Sequence, residues 1–423
     1  MACGAALRPG TRRLLFAQVA PETGAGKPLS PTHPDVASVD HERILAEAEP
    51  LLGKSAGTIT AFFSPRNPGT ANDYYSEPID YYPDPKSPTG PWIPNGDQEA
   101  PQPKGVSSPE AFTAHRDAVY IFSTRVATLT AAFVLTGEAR YAGKAAEMLR
   151  AWFLTPATRM SPSLQFAQHI PNTPRTATPN RFQGIVETVS FAEVAQAIPF
   201  LASSGALTTD EIAGLHEWFA SYFTWLNTTR VGGLARDQRD HHGSSWLLQS
   251  AAYARLNATG LTSDDSNLDH LRHQFRTLTL RAQINATGGF PHELSTSTPY
   301  RNSLFNLDML CAACDLLSTR FESAWDYELQ DGPGMRTAIA FHVPFIENPR
   351  AWPYPADAAY FKELPGRRPG LLLAGRAYNR PEYTALWRSL APLSAETPGE
   401  LLRCVPIHQP LLWIAHPKPV RLE

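Results

Sequence analysis

The chain has 423 residues, 43% of them hydrophobic and 18% charged, with a formal net charge of -3. That composition fits a folded protein with a large core and excludes a disordered or collagen-like chain. The charge offers no basic surface for nucleic acid, so no nucleic-acid partner is expected. Its basic side chains are mostly Arg, whose guanidinium fork suits carboxylates, which keeps an acidic ligand open. Four cysteines, Cys3, Cys311, Cys314 and Cys404, make no disulfide framework. Cys311 and Cys314 form a C-x-x-C inside an apolar stripe of helical period, which reads as buried thiols. No apolar run approaches membrane-spanning length, so no membrane span is expected. Arg12 and Arg13 precede only Leu14-Leu-Phe-Ala17, too short for a secretory h-region. The protein is therefore expected to be periplasmic or secreted with its export signal absent from this chain, or else cytoplasmic.

Residues 1–40 are rich in Pro, Gly, Thr and Ala without periodicity, which predicts an extended or mobile lead-in. A short helix is expected over His41 to Leu52. The stretch from Asp73 to Ile93 carries too many prolines for a helix, yet holds Tyr74, Tyr75, Tyr81, Tyr82 and Trp92. Aromatics on such a loop either stack against sugars or pack over the domain surface. Ser108-Pro-Glu predicts the start of a long helix ending at Thr136-Gly137, with a second from Glu138 to Phe153. Further helices are expected at about 183–203, 209–226, 244–257, 265–286, 303–322, 334–346 and 380–391. Thr208 and Glu211 make a capping box, and Gly288-Gly289 reads as a helix stop. Strand signals are weak throughout. The pattern predicts one all-α domain over 41–423, wound from antiparallel helical hairpins. Its long loops at 155–182, 227–243, 287–302 and 347–380 would build the site.

Within the loops, Arg236-Asp-Gln-Arg-Asp-His-His-Gly-Ser-Ser-Trp-Leu-Leu-Gln249 delivers His241 and His242 to a helix start. Either these are catalytic or they serve as hydrogen-bonding groups of an exposed loop. The loop after Phe153 offers Gln168, His169 and Arg181, and Arg181 close to a helix start favours an anion there. The loop after Ala286 ends at Tyr300 and Arg301. Two loops ending at helix starts could thus bring a histidine and a tyrosine to one groove. His270 and His273 have helical spacing for a metal but no third ligand nearby.

Several stretches in order carry a family resemblance. They are Tyr82-Pro-Asp-Pro, Leu149-Arg-Ala-Trp-Phe-Leu with Pro156-Ala-Thr-Arg-Met, Phe166-Ala-Gln, His242-Gly-Ser with Trp246 and Gln249, Pro299-Tyr300 with Ser303-Leu-Phe-Asn-Leu-Asp-Met, and Trp352-Pro-Tyr. They span about residues 73–390. Here the chain resembles the alginate-lyase-like superfamily of polysaccharide lyases, and most closely polysaccharide lyase family 38. The resemblance implies an (α/α) toroid, an incomplete α/α barrel, and β-elimination on an acidic polysaccharide of uronic acids, leaving a 4,5-unsaturated end. A base takes the C5 proton, an acid protonates O4, and polar groups neutralise the carboxylate. The family histidine falls on His242 and its proline-linked tyrosine on Tyr300.

There are departures. Where the family has Asn-Asn-His-Gly, this chain has Asp240-His241-His242-Gly243. Where it has Arg-Thr-Lys-Pro-Tyr, this chain has Thr296-Ser-Thr-Pro-Tyr300, and a second family tyrosine becomes Asn302. His241, Arg181, Arg239 or Arg301 could replace the lost donors. The resulting expectation is a site of His242, Tyr300 and His241, with Gln168, Arg181, Arg239, Arg301, Tyr74, Tyr75 and Trp246 binding substrate. The mechanism demands no metal or organic cofactor, and the oligomeric state is left open. The alternatives are a glycoside hydrolase using Asp240 and Glu293, and a non-catalytic glycan-binding relative.

Overall fold

The computed structural model describes residues 36–97, 101, 107–173, 181–258, 265–330, 332–357, 361, 366–392 and 405–416. The expected lead-in up to residue 35, Cys3 and Cys404 lie outside the described residues.

The described residues are dominated by helix, in line with the weak strand signals. They run α1 (Val36–Ala48), α2 (Ala114–Thr136), α3 (Ala139–Leu149), α4 (Phe191–Ser203), α5 (Thr209–Thr228), α6 (Arg230–Arg236) and α7 (His241–Ala258). They continue as α8 (Ser266–Gln274), α9 (Leu280–Gln283), α10 (Pro291–Leu294), α11 (Pro299–Leu317), α12 (Met335–Glu347), α13 (Pro369–Ala377), α14 (Pro381–Ser389) and α15 (Leu411–Ile414). The one sheet among the described residues pairs Tyr81–Tyr82 antiparallel with Ile93–Pro94, two residues to a strand.

Short connections make the helices pack as neighbours in sequence. Gly137 turns the chain from α2 into α3 in a left-handed conformation, φ 72, that glycine adopts without strain. The capping box holds: the Thr208 side chain accepts from the Glu211 N–H while Glu211 accepts from the Thr208 N–H. The centre of the fold is α7, packed against α4, α5, α6, α8 and α11. From Gly243 to Ala254 every residue of α7 is buried, as is α11 from Ser303 to Cys314. Helices buried all round must pair their own polar groups. Accordingly Ser244 Oγ and Asn306 Nδ2 both donate to Gln283 Oε1, at 2.9 and 2.8 Å, and Gln249 Nε2 donates to the Ile185 carbonyl at 2.9 Å.

Several expected boundaries move. The first helix starts at Val36 rather than His41, and α2 at Ala114 rather than Ser108. Gly288 (φ 94) lies in a turn after α9 has ended at Gln283, so it caps no helix. The loop at 227–243 contains α6 and the first turn of α7, the one at 287–302 contains α10 and the start of α11, and the one at 347–380 contains α13. Of these, α6 is capped locally by the Thr229 side chain, while the starts of α7 and α11 take caps from residues distant in sequence, Glu293 and Asp357. The absence of a membrane-length stretch also needs correction: α2 and the segment Phe182–Ser203 are long and apolar enough by composition. Both are mostly buried inside the domain, which accounts for their hydropathy. Cys311 and Cys314 are free, fully buried thiols, raised in pKa by burial.

Candidate active site

The first turn of α7 is where polar groups converge. Its leading N–H groups have no intrahelical acceptor, and its end carries partial positive charge. Two carboxylates answer that need. Asp240, just before the helix, accepts the His242 N–H on Oδ1 at 2.9 Å. Glu293, carried in by α10, accepts the His241 N–H on Oε1. Each carboxylate then holds a side chain as well as a backbone. His242 Nδ1 lies 3.1 Å from Asp240 Oδ1, and His241 Nδ1 lies 3.1 Å from both oxygens of Glu293. His241 and His242 therefore stand on the helix itself rather than in the loop before it, with ring centroids 4.2 Å apart.

These two adjacent imidazoles are driven apart in proton affinity. Burial pulls His241 down, but the hydrogen bond and charge of Glu293 outweigh it, and His241 ends above the usual histidine value of 6.5. Burial also pulls His242 down; the charge of His241 adds to that, Asp240 only partly opposes it, and His242 ends below 6.5. Burial pushes Asp240 up, but the His242 hydrogen bond and the charge of both histidines bring it to about 2. Of the two, His241 therefore holds a proton more readily and His242 gives one up more readily. Their Nε2 atoms are the ring nitrogens that the carboxylates leave free for other work.

The walls come from two neighbours. Phe182 meets the His242 ring edge-on at 5.3 Å, and Phe305 of α11 lies 5.9 Å from His241. Arg301, one turn before Phe305, is close enough for its charge to lower His241. Its Nη2 reaches Thr298 Oγ1 at 3.4 Å, and its Nε has no partner among the described residues. Asn302 bridges Thr296 and Thr298, each at 3.2 Å.

Other expected site residues lie elsewhere. Tyr300 is 0% exposed, with its hydroxyl donating to the Phe345 carbonyl at 2.9 Å and its ring against Trp352 and Phe361. Burial raises its pKa. These contacts lie on a core-facing side of α11, while Phe305 of the same helix lies beside His241. Trp246 is buried and donates to the Leu226 carbonyl. Tyr74 and Tyr75 are likewise buried, bonded to Glu187 and Glu77. These three are core groups, where an amphipathic ring pairs its polar tip inside the protein.

Gln168 is half-buried, in a left-handed conformation (φ 54), and donates to Glu187 Oε1 at 2.7 Å. Arg181 donates to the Tyr81 hydroxyl at 2.9 Å and lies over its ring, next in sequence to Phe182. Arg239 is exposed on the turn before Asp240. His270 and His273 lie on an exposed face of α8.

Asp240, His241 and His242 also form a group whose ligand atoms lie within 4.8 Å of one another, as a metal site would require. The two rings are tilted at 33° to one another, with centroids 4.2 Å apart. Both Nδ1 atoms are already engaged by carboxylates.

Sequence reasoning missed the pairing of each histidine with its own carboxylate. The Asp-x-His spacing could have exposed one pair. The Glu293 pair spans 52 positions and had no local signal.

These helical hairpins are those of an (α/α) toroid, and the family match and structural likeness that follow make the chain a polysaccharide lyase. The family model described as alginate lyase matches residues 58–352, and the chain belongs to that family. Among solved structures, an alginate lyase from Bacteroides ovatus is similar at 25% identity, covering 88% of this chain and 94% of that one, with a TM-score of 0.72. Alginate lyase A1-III from Sphingomonas species A1 is similar at 14% identity over 88% of this chain and 95% of that one, with a TM-score of 0.48. No curated protein matches the chain.

Proposed function

We propose that the chain cleaves a 4-O-linked polyuronate by β-elimination, with His242 as base and His241 as the group that neutralises the uronate carboxylate. The observation that carries this reading is a pair of touching imidazoles, each held by its own carboxylate, whose proton affinities are pushed in opposite directions. Groups whose environments push their pKa values apart divide acid and base work between them.

The chemistry follows from the need to stabilise an enolate. A C5 proton beside a carboxylate leaves only if the developing charge meets donors. The His241 imidazolium and the Arg301 guanidinium supply charge-assisted hydrogen bonds to that carboxylate. His242 takes the C5 proton on Nε2, the C5–H electrons form the C4=C5 bond, and the C4–O4 bond breaks towards O4. The His242 imidazolium then returns its proton to O4, while Asp240 holds the ring in one tautomer. Tyr300 has no part in this, since its hydroxyl is engaged in the core. Arg239, Arg181 and Gln168 are left as contacts for sugars further along the groove.

One imidazole acting as base and then acid requires the C5 hydrogen and O4 on the same face of the ring. Mannuronate and glucuronate satisfy that; guluronate, the C5 epimer of mannuronate, does not. The substrate is therefore assigned as polymannuronate, as in alginate, or glucuronan. The alginate lyase named for the similar Bacteroides ovatus structure supports the same substrate class. A polymer substrate accords with a periplasmic or secreted location. A hydrolase pairing of Asp240 with Glu293 lacks support, because Glu293 is wholly buried with both oxygens on His241. The test is a panel of polymannuronate, glucuronan and polyguluronate, followed at the ultraviolet absorbance of the unsaturated product. Product from either of the first two and little from the third is expected; hydrolysis without absorbance, or a preference for polyguluronate, would overturn the reading.

A further inference from the structure

We propose that Asp357 is the positioning residue for Arg301, fixing the guanidinium where it meets the substrate carboxylate; this rests on the role given to Arg301 above. The start of α11 is short of acceptors for its N–H groups. Pro299 opens the helix and lacks an N–H, and Thr298 before it makes no side-chain cap, with φ -134 and ψ 60. The next two N–H groups, those of Tyr300 and Arg301, would stand without acceptors. Asp357 takes both, Oδ1 from Tyr300 at 3.0 Å and Oδ2 from Arg301 at 2.8 Å.

This cap comes from more than fifty residues downstream and beyond the stretch 58–352 that matches the family model. Asp357 is 6% exposed, so its carboxylate is committed to the helix end rather than to solvent. Its loop is pinned by Trp352, which packs edge-on to Tyr300 at 5.0 Å and to Phe345 at 5.3 Å. On the other side Arg301 is lightly held, with a single long contact to Thr298 and an unpartnered Nε. The backbone of Arg301, clamped by Asp357, therefore does most to aim its side chain. The negative charge at Asp357 also acts on Arg301 directly, as the two influence each other electrostatically.

Asparagine at this position keeps the shape but has one acceptor and one donor where two acceptors are needed. Asp357→Asn thus faces an N–H with an NH2 group. The experiment is a double-mutant cycle on polymannuronate and glucuronan with Arg301→Ala, Asp357→Asn and the pair, each also followed by thermal unfolding. Arg301→Ala should lower kcat by roughly 100-fold with little change in KM, as loss of a donor to a developing oxyanion does. Asp357→Asn should lower kcat by about tenfold in the wild type and by less than about twofold when Arg301 is already gone. A purely structural Asp357 would lower the melting temperature and cut activity equally in both backgrounds, which overturns the inference while leaving the site reading intact. Unchanged activity in Arg301→Ala would sink that reading, and the inference with it. Should Asp357→Asn fail to fold, Asp357→Glu, which keeps both acceptors, must restore folding and most of kcat; a Glu variant that folds but behaves like Arg301→Ala also overturns the inference.

Discussion

Both carboxylate oxygens of Glu293 lie 3.1 Å from Nδ1 of His241, although the two residues stand on different helices and Glu293 has no exposed surface. A buried anion that meets one imidazole and the backbone N–H of the same residue sets both the charge and the place of that ring.

Activity should therefore follow a bell-shaped pH profile. Turnover needs His242 neutral, so it rises as pH climbs through a value below 6.5; it needs His241 protonated, so it falls as pH passes a value above 6.5. In Glu293→Gln the main influence raising His241 is gone and only the charge of Asp240 is left to oppose burial, so the alkaline limb should move to lower pH in kcat/KM. An alkaline limb that stays in place would separate it from His241. The same sign governs stability: the His241 contribution is complete below 6.5 and is lost as pH rises through its elevated folded value.

His242→Ala should lower turnover by about 100- to 10,000-fold, the range for loss of a general base, with the melting temperature nearly kept. Asp240→Asn should fall in the same direction by less, since the ring keeps a partner but loses the fixed acceptor. Wild-type rates in His242→Ala would remove the base from the scheme.

Tyr300→Phe should retain turnover within about twofold and lose about 1 kcal/mol of stability, the usual worth of a hydrogen bond to a covered carbonyl. Chemical denaturation and an initial-rate assay decide it together. A deep loss of rate with unchanged stability would return the phenol to the chemistry.

Gly243→Ala should damage the site from behind. A Cβ there would sit 2.3 Å from the Gln238 carbonyl oxygen, a backbone atom that cannot rotate aside. The turn carrying Asp240 must shift, at a cost of about 1–3 kcal/mol. Lowered kcat together with a lowered melting temperature is expected; a variant as stable and active as the wild type would mean that the turn yields freely.

Chelation should leave turnover unchanged, because the base, the acid and the donors of the proposed elimination are all side chains of this chain. The Nδ1 atoms of His241 and His242 are already engaged by carboxylates, which agrees with that. Loss of activity in EDTA, restored by a divalent ion, would instead make the Asp240 group a metal centre.

Much of this fold could be read from periodicity and punctuation. The Thr208 box and Gly137 stop fell where expected because each works through neighbours in sequence. The start of α11 did not, since the polar run before Leu304 becomes helical only when Asp357 caps it from afar. In the site, His241 and His242 were legible from spacing and family likeness. Tyr74, Tyr75 and Trp246 misled because an aromatic with a polar tip looks the same in a sugar groove and in a wet core. Tyr300 was singled out by the family likeness, but its packing on Trp352 and Phe361 and its bond to the Phe345 carbonyl had no local signal.

The two histidines are consecutive residues on one rigid helical turn, and that has a bearing on how a long polymer gains entry. A catalytic pair split between separate loops loses its spacing whenever the groove widens. On the roles proposed above, the distance between base and neutralising group is set within a single peptide unit, so it would not change if the loops around the pair moved to admit a polymer.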